Sequence, residues 1–314
     1  MRKTLIWTTS VLAVILVLLF AAGWYMTDFS LKPKLKAKTD AEYVKKMDKI
    51  YPGLGNWIDS LRTAGVLRDT TIVNHAGRTL RAFYATADNA AGTVVLSHGY
   101  TDGAIGMMML GREYRDRLNF NIMLPDHEYH GLSVGPAVNM GWKDRINLER
   151  WIDIADAKWP GKAIILHGIS MGAATVMMCS GDPLPESVHG IVEDCGYTSV
   201  WDEFAGQLKE QFGLPTFPIL NTSSFVCRLR YGWGFKEASA LKQVEKSTLP
   251  MLFIHGDQDT FVPFPMVYQL YDAKKQGAKT LYVSEGSVHA RSYLNKPEEY
   301  MEQVENFVLP LVGE

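Results

Sequence analysis

An apolar strand leads directly into a Gly-x-Ser-x-Gly pentapeptide, and this junction limits the folds open to the chain more than any other feature. Residues 162–172 read Lys-Ala-Ile-Ile-Leu-His-Gly-Ile-Ser-Met-Gly, and the residues that follow favour a helix over 171–179. A serine at a sharp strand-to-helix turn stands clear of its neighbours, where a base can take its proton. Gly168 and Gly172 lack a Cβ and so tolerate the crowding of such a turn. Ser170 is therefore the candidate nucleophile.

From Gly92 onward, predicted strands alternate with predicted helices. The strands are expected at 93–97, 121–125, 163–167, 189–193, 250–255 and 279–284, after a hairpin over 70–74 and 79–87. This alternation predicts an α/β fold with a mostly parallel central sheet and helices on both faces. The candidate reactive residues follow strand ends, which is where such sheets place ligands.

Two further side chains follow later strands and complete a possible triad. Asp259, with Asp257 two residues earlier, lies in a polar loop after the strand at 250–255. His289 follows the strand at 279–284 and is the only histidine after these aspartates. The order serine, acid, histidine is the one that a strand-turn-helix nucleophile of this kind requires.

These residues resemble the α/β-hydrolase fold family of serine hydrolases. The penultimate strand of that family commonly ends in His-Gly-x-x-Asp-x-x-Val-Pro, and this chain carries the same residues from His255 to Pro263. The resemblance implies that Asp259 orients His289, the general base, although Asp257 stays open as a competitor. It also implies an oxyanion hole formed by the backbone N–H groups of Tyr100, after His98-Gly99, and Met171. No cofactor is expected.

Residues 193–199, Glu-Asp-Cys-Gly-Tyr-Thr-Ser, resemble a segment of bacterial membrane-anchored or secreted hydrolases of this superfamily, near the prolyl-oligopeptidase-like and dienelactone-hydrolase-like groups. The resemblance spans about residues 70–312. Some members place the triad acid after this strand, so Asp194 is an alternative, but we expect it to be structural. The expected activity is cleavage of small-molecule carboxylic esters through an acyl-enzyme. A peptidase or acyltransferase with the same triad, and a non-catalytic scaffold of the same fold, are the alternatives.

The connection between the strands ending near Asp194 and starting near Pro250 is too long for a simple crossover. We expect a small helical cap over about 199–248. The cap is rich in aromatic side chains, which are either its own core or an apolar wall for an acyl or aryl group. Trp201, Phe204 and Trp233 are the candidate pocket residues.

The N-terminal segment carries a long run without charge. Residues 5–26 are uncharged, follow Arg2 and Lys3, and are long enough to cross a bilayer as a helix. We expect a single-pass anchor over 1–30 rather than a cleaved signal peptide, then a basic tether with a short helix over 31–69, and the catalytic domain over 70–314. The lysines at 32, 34, 36 and 38 leave the positive-inside count undecided. We expect the catalytic domain outside the cytoplasm.

Charge and cysteine usage give no indication of a nucleic-acid-binding protein or of a cysteine metal site. The net charge is −2, with 32 basic and 34 acidic residues, which does not indicate nucleic-acid binding. The three cysteines lack the paired spacing of a metal site and are expected to be core thiols. His127, Glu128 and His130 lack the spacing of a helical zinc motif, so no metal is expected. The oligomeric state is left open.

Overall fold

The fold is built on one eight-stranded sheet in the order β1-β2-β4-β3-β5-β6-β7-β8. The strands are β1 Leu67–Val73, β2 Thr79–Ala85, β3 Thr93–Ser97, β4 Asn121–Pro125, β5 Ile164–Ile169, β6 Val188–Asp194, β7 Met251–Gly256 and β8 Lys279–Ser284. Strand β2 is antiparallel to both of its neighbours, and the pairs from β4 to β8 are parallel. The prediction of a mostly parallel sheet is confirmed. The computed structural model describes residues 2–35 and 39–313.

The helices precede the sheet or connect and follow its strands. They are α1 Arg2–Leu31, α2 Asp40–Ile50, α3 Leu54–Thr63, α4 Met108–Arg112, α5 Asp144–Lys158, α6 Met171–Cys179, α7 Val200–Phe212, α8 Ile219–Tyr231, α9 Ala240–Val244, α10 Pro265–Ala273, α11 Ser292–Asn295 and α12 Pro297–Val312. Short 3-10 and π turns flank α4 at Ala104–Met107 and Glu113–Arg117.

Helices cover both faces of the central strands, and most side chains of these strands are apolar. Every residue of β3, β4, β5 and β7 is buried. Val94 and Leu96 of β3 face a cluster formed with α2, α3, α4 and α12, whereas Val95 points to the other face. In the edge strand β1, Leu67 is buried, Thr70 and Ile72 are half-buried and the other four residues are exposed, because one of its faces meets water.

The chain forms two compact units. The smaller unit contains residues 1–33 and 199–239, and the larger unit contains residues 34–198 and 240–314. Within the smaller unit, α1 packs against α8, and α7 and α8 are the helices of the predicted cap. The helix over residues 4–31 is long and apolar enough to cross a membrane. A signal sequence near the N-terminus has the same length and composition.

This grouping differs from the predicted division in two places. Helices α2 and α3 fall within the predicted tether, but Tyr43, Met47, Leu54 and Ile58 are buried in the core of the larger unit. Helix α9 falls within the predicted cap, but it packs against α6, so the cap segment ends at Ser239. Both differences have the same cause, because the unit against which a short helix packs depends on contacts between distant segments, which a local sequence pattern does not contain. Lys36 and Lys38 of the predicted tether lie outside the described residues.

Candidate active site

Ser170 lies at the turn between β5 and α6 in a backbone conformation that few residues adopt, with φ 58° and ψ −118°. The turn depends on its glycines. A Cβ on Gly168 would lie 2.2 Å from the carbonyl oxygen of Gly172, and a Cβ on Gly172 would lie 1.9 Å from that of Ser97. The N–H of Ser170 donates to the carbonyl of Asp194 at 2.7 Å, which fixes the turn to the end of β6. The nucleophile candidate is therefore held by backbone geometry rather than by side-chain packing.

The structure brings Ser170, His289 and Asp259 together at the carboxyl ends of β5, β8 and β7. The Ser170 hydroxyl lies 2.9 Å from Nε2 of His289. On the other side of the ring, Nδ1–H of His289 donates to Oδ2 of Asp259 at 2.7 Å. A hydroxyl, an imidazole and a carboxylate in this order can move a proton from oxygen to nitrogen and stabilise the resulting imidazolium.

The Asp259 carboxylate has further donors that hold it in place. Its Oδ1 accepts the N–H groups of Phe261 at 2.9 Å and Val262 at 3.0 Å. Nε2–H of His255 lies 3.2 Å from Oδ2 and also donates to the carbonyl of Val262 at 3.0 Å. Burial raises the pKa of Asp259, but the hydrogen bonds from His255 and His289 outweigh it and leave the pKa below its usual value. The sequence pattern contains His255 but gives no indication of this contact.

The two other acid candidates make different contacts. Asp257 accepts the N–H of Gly286 at 2.7 Å, in the turn after β8. Asp194 is fully buried, and burial raises its pKa to about 6 against the opposing effects of His255 and a hydrogen bond from Tyr300. Within the part of the chain that the structure describes, Nδ1–H of His289 donates to the carboxylate of Asp259.

The two proposed oxyanion donors belong to segments next to the serine. Met171 is the first residue of α6, so its N–H has no acceptor within the helix. Gly99 lies against the serine, since a Cβ there would be 3.5 Å from Cβ of Ser170. Tyr100 follows Gly99 and lines the same cavity as Ser170. Their role as oxyanion donors stays a prediction.

A cavity of about 370 Å³ opens at Ser170 and His289, with Tyr100, Ile169 and Phe261 among its walls. A second cavity of about 290 Å³ shares Ile169 and His289 with the first and continues towards α2. Each is close to the lower end of the range for small-molecule sites. Asp102 lines both cavities, and Lys46 and Arg291 line the second, so the walls combine apolar and charged side chains.

The three predicted pocket residues belong to the smaller unit. Phe204 meets Phe235 edge-on with ring centroids 4.9 Å apart, and Trp233 lies 5.8 Å from the same ring. Trp201 carries the Lys236 ammonium 4.2 Å above its ring. Phe204 and Trp233 thus contribute to the internal packing of this unit, and their role in a substrate pocket stays a prediction.

The remaining histidines near the site take part in loop structure. Nε2 of His98 accepts the N–H of His127 at 3.0 Å, and the His127 ring lies 2.8 Å from the Ser97 hydroxyl. Glu128 pairs with Arg78 at 2.6 Å.

One group of possible metal ligands lies at the triad itself. Within residues 2–35 and 39–313, one such group is found, and it consists of Cys195, Asp259 and His289. The possible ligand atoms of these three side chains all lie within 4.8 Å of one another. Burial raises the pKa of the Cys195 thiol well above its usual value, and Asp194 and Asp259 add to this rise. Burial therefore favours the neutral form of this thiol.

Comparison with known proteins gives relatives at low identity. No family model matches the chain. The uncharacterized protein YqkD of Bacillus subtilis is 27% identical over 276 residues, covering 87% of this chain and 88% of YqkD. The uncharacterized protein YfhR of Escherichia coli O157:H7 is 23% identical over 228 residues, covering 71% of this chain and 72% of YfhR.

Solved structures match the fold over most of the chain. The Pyrococcus furiosus esterase Pf2001 matches with a TM-score of 0.65 and 23% identity, covering 81% of this chain and 96% of the esterase. Est1E of Butyrivibrio proteoclasticus, solved with ferulic acid bound, matches with a TM-score of 0.60 and 18% identity, covering 78% of this chain and all of Est1E. The α/β hydrolase GrgF from Penicillium matches with a TM-score of 0.61 and 14% identity, covering 79% of this chain and 99% of GrgF. With the strand order and the turn at Ser170, these matches establish that the chain has the α/β-hydrolase fold.

Proposed function

We propose that the protein is a serine hydrolase that cleaves small-molecule carboxylic esters through an acyl-enzyme. The observation that carries the proposal is the continuous hydrogen-bond chain from Ser170 through His289 to Asp259, with separations of 2.9 and 2.7 Å. One of the structures that share its fold is named as an esterase, and another, Est1E, was solved with ferulic acid, a carboxylic acid, bound, which is consistent with ester chemistry.

In the proposed reaction, Oγ of Ser170 attacks the ester carbonyl carbon while Nε2 of His289 accepts the hydroxyl proton. The carbonyl electron pair moves to oxygen, where the N–H groups of Tyr100 and Met171 stabilise the charge. When the carbonyl reforms, the bond to the alkoxy group breaks and His289 returns the proton to the leaving alcohol. Water then repeats these steps on the acyl-enzyme and releases the acid. The Asp259 carboxylate holds the ring with Nε2 free to accept the proton.

The test is hydrolysis of p-nitrophenyl esters of increasing acyl length by the full chain and by two serine variants. Ser170→Ala should lower turnover by about a million-fold, since removing the nucleophile costs about that much in a related triad. Ser180→Ala is the matched control, because Ser180 follows the last residue of the helix that begins after Ser170, and its hydroxyl donates to the Met177 carbonyl. A fluorophosphonate probe should label the wild type and the control, but not Ser170→Ala.

The same assay distinguishes the alternatives. Faster cleavage of amides than of matched esters would indicate a peptidase, and preferential transfer to an added alcohol would indicate an acyltransferase. Absence of both labelling and hydrolysis in folded protein would refute the hydrolase proposal in favour of a scaffold.

We also propose that α1 anchors the protein in a membrane and that the larger unit lies outside the cytoplasm. The uncharged run and its length support the anchor. Protease added to sealed, right-side-out vesicles should digest the larger unit while leaving a cytoplasmic marker intact. Protection of the larger unit would reverse the orientation, and its release in soluble form would indicate cleavage of α1.

A further inference from the structure

The apolar helix α1 ends inside the smaller unit, bound closely to α8. A Cβ on Gly23 would lie 2.6 Å from Cγ2 of Thr222, so the two helices approach to backbone distance there. The buried hydroxyl of Thr27 lies 2.7 Å from the carbonyl of Gly23 and 3.1 Å from the carbonyl of Ser223 on α8. A small residue that allows close approach and a hydroxyl that bonds across the contact are typical of helices that pack together in membranes.

A charged pair follows at the same contact. Arg230 of α8 donates to Asp28 at 2.8 Å, and its guanidinium lies 4.1 Å from the ring centroid of Trp24. Asp28 is the first charged residue after Lys3. The pair therefore marks where the apolar part of α1 ends, and Trp24 and Tyr25 beside it are the residue types enriched at membrane interfaces.

The free part of α1 is too short to cross a bilayer by itself. Every residue from Thr4 to Leu18 is exposed, and from Leu19 onward one side of the helix becomes covered. The fifteen residues from 4 to 18 rise about 22 Å, whereas a hydrocarbon core is about 30 Å thick and needs about 20 residues. A span that begins at Thr4 therefore reaches Gly23. It brings the part of α8 in contact with Gly23 to the edge of the hydrocarbon.

The smaller unit exposes large apolar side chains that suit this position. Phe225 and Leu229, four residues apart on one face of α8, are 55% and 61% exposed, and Phe217 just before α8 is 73% exposed. In water the exposure of these side chains is unfavourable, whereas in the headgroup and acyl boundary they gain free energy by burial.

We propose that Phe217, Phe225 and Leu229 form a bilayer-docking surface, which inserts into the lipid headgroup and acyl boundary beside the end of α1. The partner is the lipid bilayer. This proposal rests on the proposed membrane anchor and is independent of the hydrolase chemistry. The smaller unit is then seated on the membrane rather than held away from it by a flexible tether.

The test uses the full chain in phosphatidylcholine and phosphatidylglycerol vesicles, with single cysteines labelled with bimane and quenched by brominated lipids. The labelled variants are Phe217→Cys, Phe225→Cys and Leu229→Cys. Leu12→Cys in the exposed part of α1 is the positive control, and Glu210→Cys on an exposed polar position of α7 is the negative control. The native cysteines are buried, and unsubstituted protein gives the labelling background.

The three surface positions should show at least about half of the quenching at position 12, with bromines near the headgroup most effective, and position 210 should show little. Quenching at 12 without quenching at 225 and 229 would overturn the docking surface while retaining the anchor. Energy transfer between labels at 225 on different chains, without lipid quenching, would assign the surface to a second copy. No quenching at 12 would refute the anchor and the docking surface together. Ester hydrolysis by the same samples tests the chemistry separately.

Discussion

At the scale of single residues, conservative substitutions can show whether Asp259 or the nearby Asp257 is the acid of the triad. Asp259→Asn replaces an acceptor of Nδ1–H with a group that can donate, which favours the tautomer with the proton on Nε2. That nitrogen then cannot accept the Ser170 proton, so kcat should fall by about 10⁴. Asp257→Asn, the matched control, should keep kcat within about threefold, because Asp257 bonds to the backbone of Gly286. Equal losses in the two variants, measured by steady-state ester hydrolysis, would contradict the assignment.

The raised pKa of Asp194 predicts that the stability of the folded chain depends on pH. Burial raises its pKa in the folded chain to about 6 from the usual 3.8. The folded chain therefore binds a proton on Asp194 more tightly than the unfolded chain does. The stability that this protonation contributes is fully present below about pH 4 and is lost as the pH rises through about 6. Asp194→Asn removes this dependence. Relative to wild type, the variant should gain about 3 kcal/mol of unfolding free energy between pH 4 and pH 8.

Urea unfolding in detergent at both pH values measures this change. The quantity compared is the difference in unfolding free energy between variant and wild type at each pH, because the contributions of the other titrating groups cancel in that difference. A difference that is the same at pH 4 and pH 8 would show that Asp194 titrates normally in the folded chain.

At the scale of elements, the turn between β5 and α6 is the most constrained connection. A Cβ on Gly172 would meet the backbone oxygen of Ser97 at 1.9 Å, and the backbone of β3 cannot move away without disturbing the sheet. Gly172→Ala should therefore lose at least about 3 kcal/mol of stability or fail to fold.

The matched control is Gly206→Ala in α7. Apart from the adjoining backbone of α7 and the two neighbouring residues, no atom of the described residues lies within 4 Å of a Cβ at Gly206, so this substitution should stabilise the helix by up to about 1 kcal/mol. Urea midpoints of both variants check the pair. A Gly172→Ala variant as stable as Gly206→Ala would show that the turn is not held as described.

Local sequence signals predicted the central elements well. Strands β3, β4 and β8 and helix α6 have the predicted bounds. Strands β5, β6 and β7 differ from the predicted bounds by one or two residues at each end. Helix α3 was not predicted, because its amphipathic pattern becomes clear only when Leu54 and Ile58 pack on the core.

Contacts between distant segments could not be predicted from the sequence. The packing of Gly23 and Thr27 on α8 joins residues about two hundred positions apart, and no local pattern in either helix indicates it. The contact of His255 with Asp259 is short in sequence but depends on the loop that returns after β7. For the same reason, the apolar residues of the cap gave no indication of which of them are packed inside it.

At the scale of the whole molecule, each unit has a distinct task in the proposed function. The larger unit carries Ser170, Asp259 and His289 on the carboxyl edge of its sheet. The smaller unit joins the apolar N-terminal helix to the cap and carries the proposed bilayer-docking surface.

The central claim is that Ser170 becomes acylated during turnover. The most direct measurement is rapid acid quenching of the full chain with p-nitrophenyl butyrate, followed by mass spectrometry of its peptides. We predict that the peptide containing Ser170 gains the mass of one butyryl group on its serine, and that Ser170→Ala gains none. Active protein that carries no adduct, or carries it on another residue, would contradict the account.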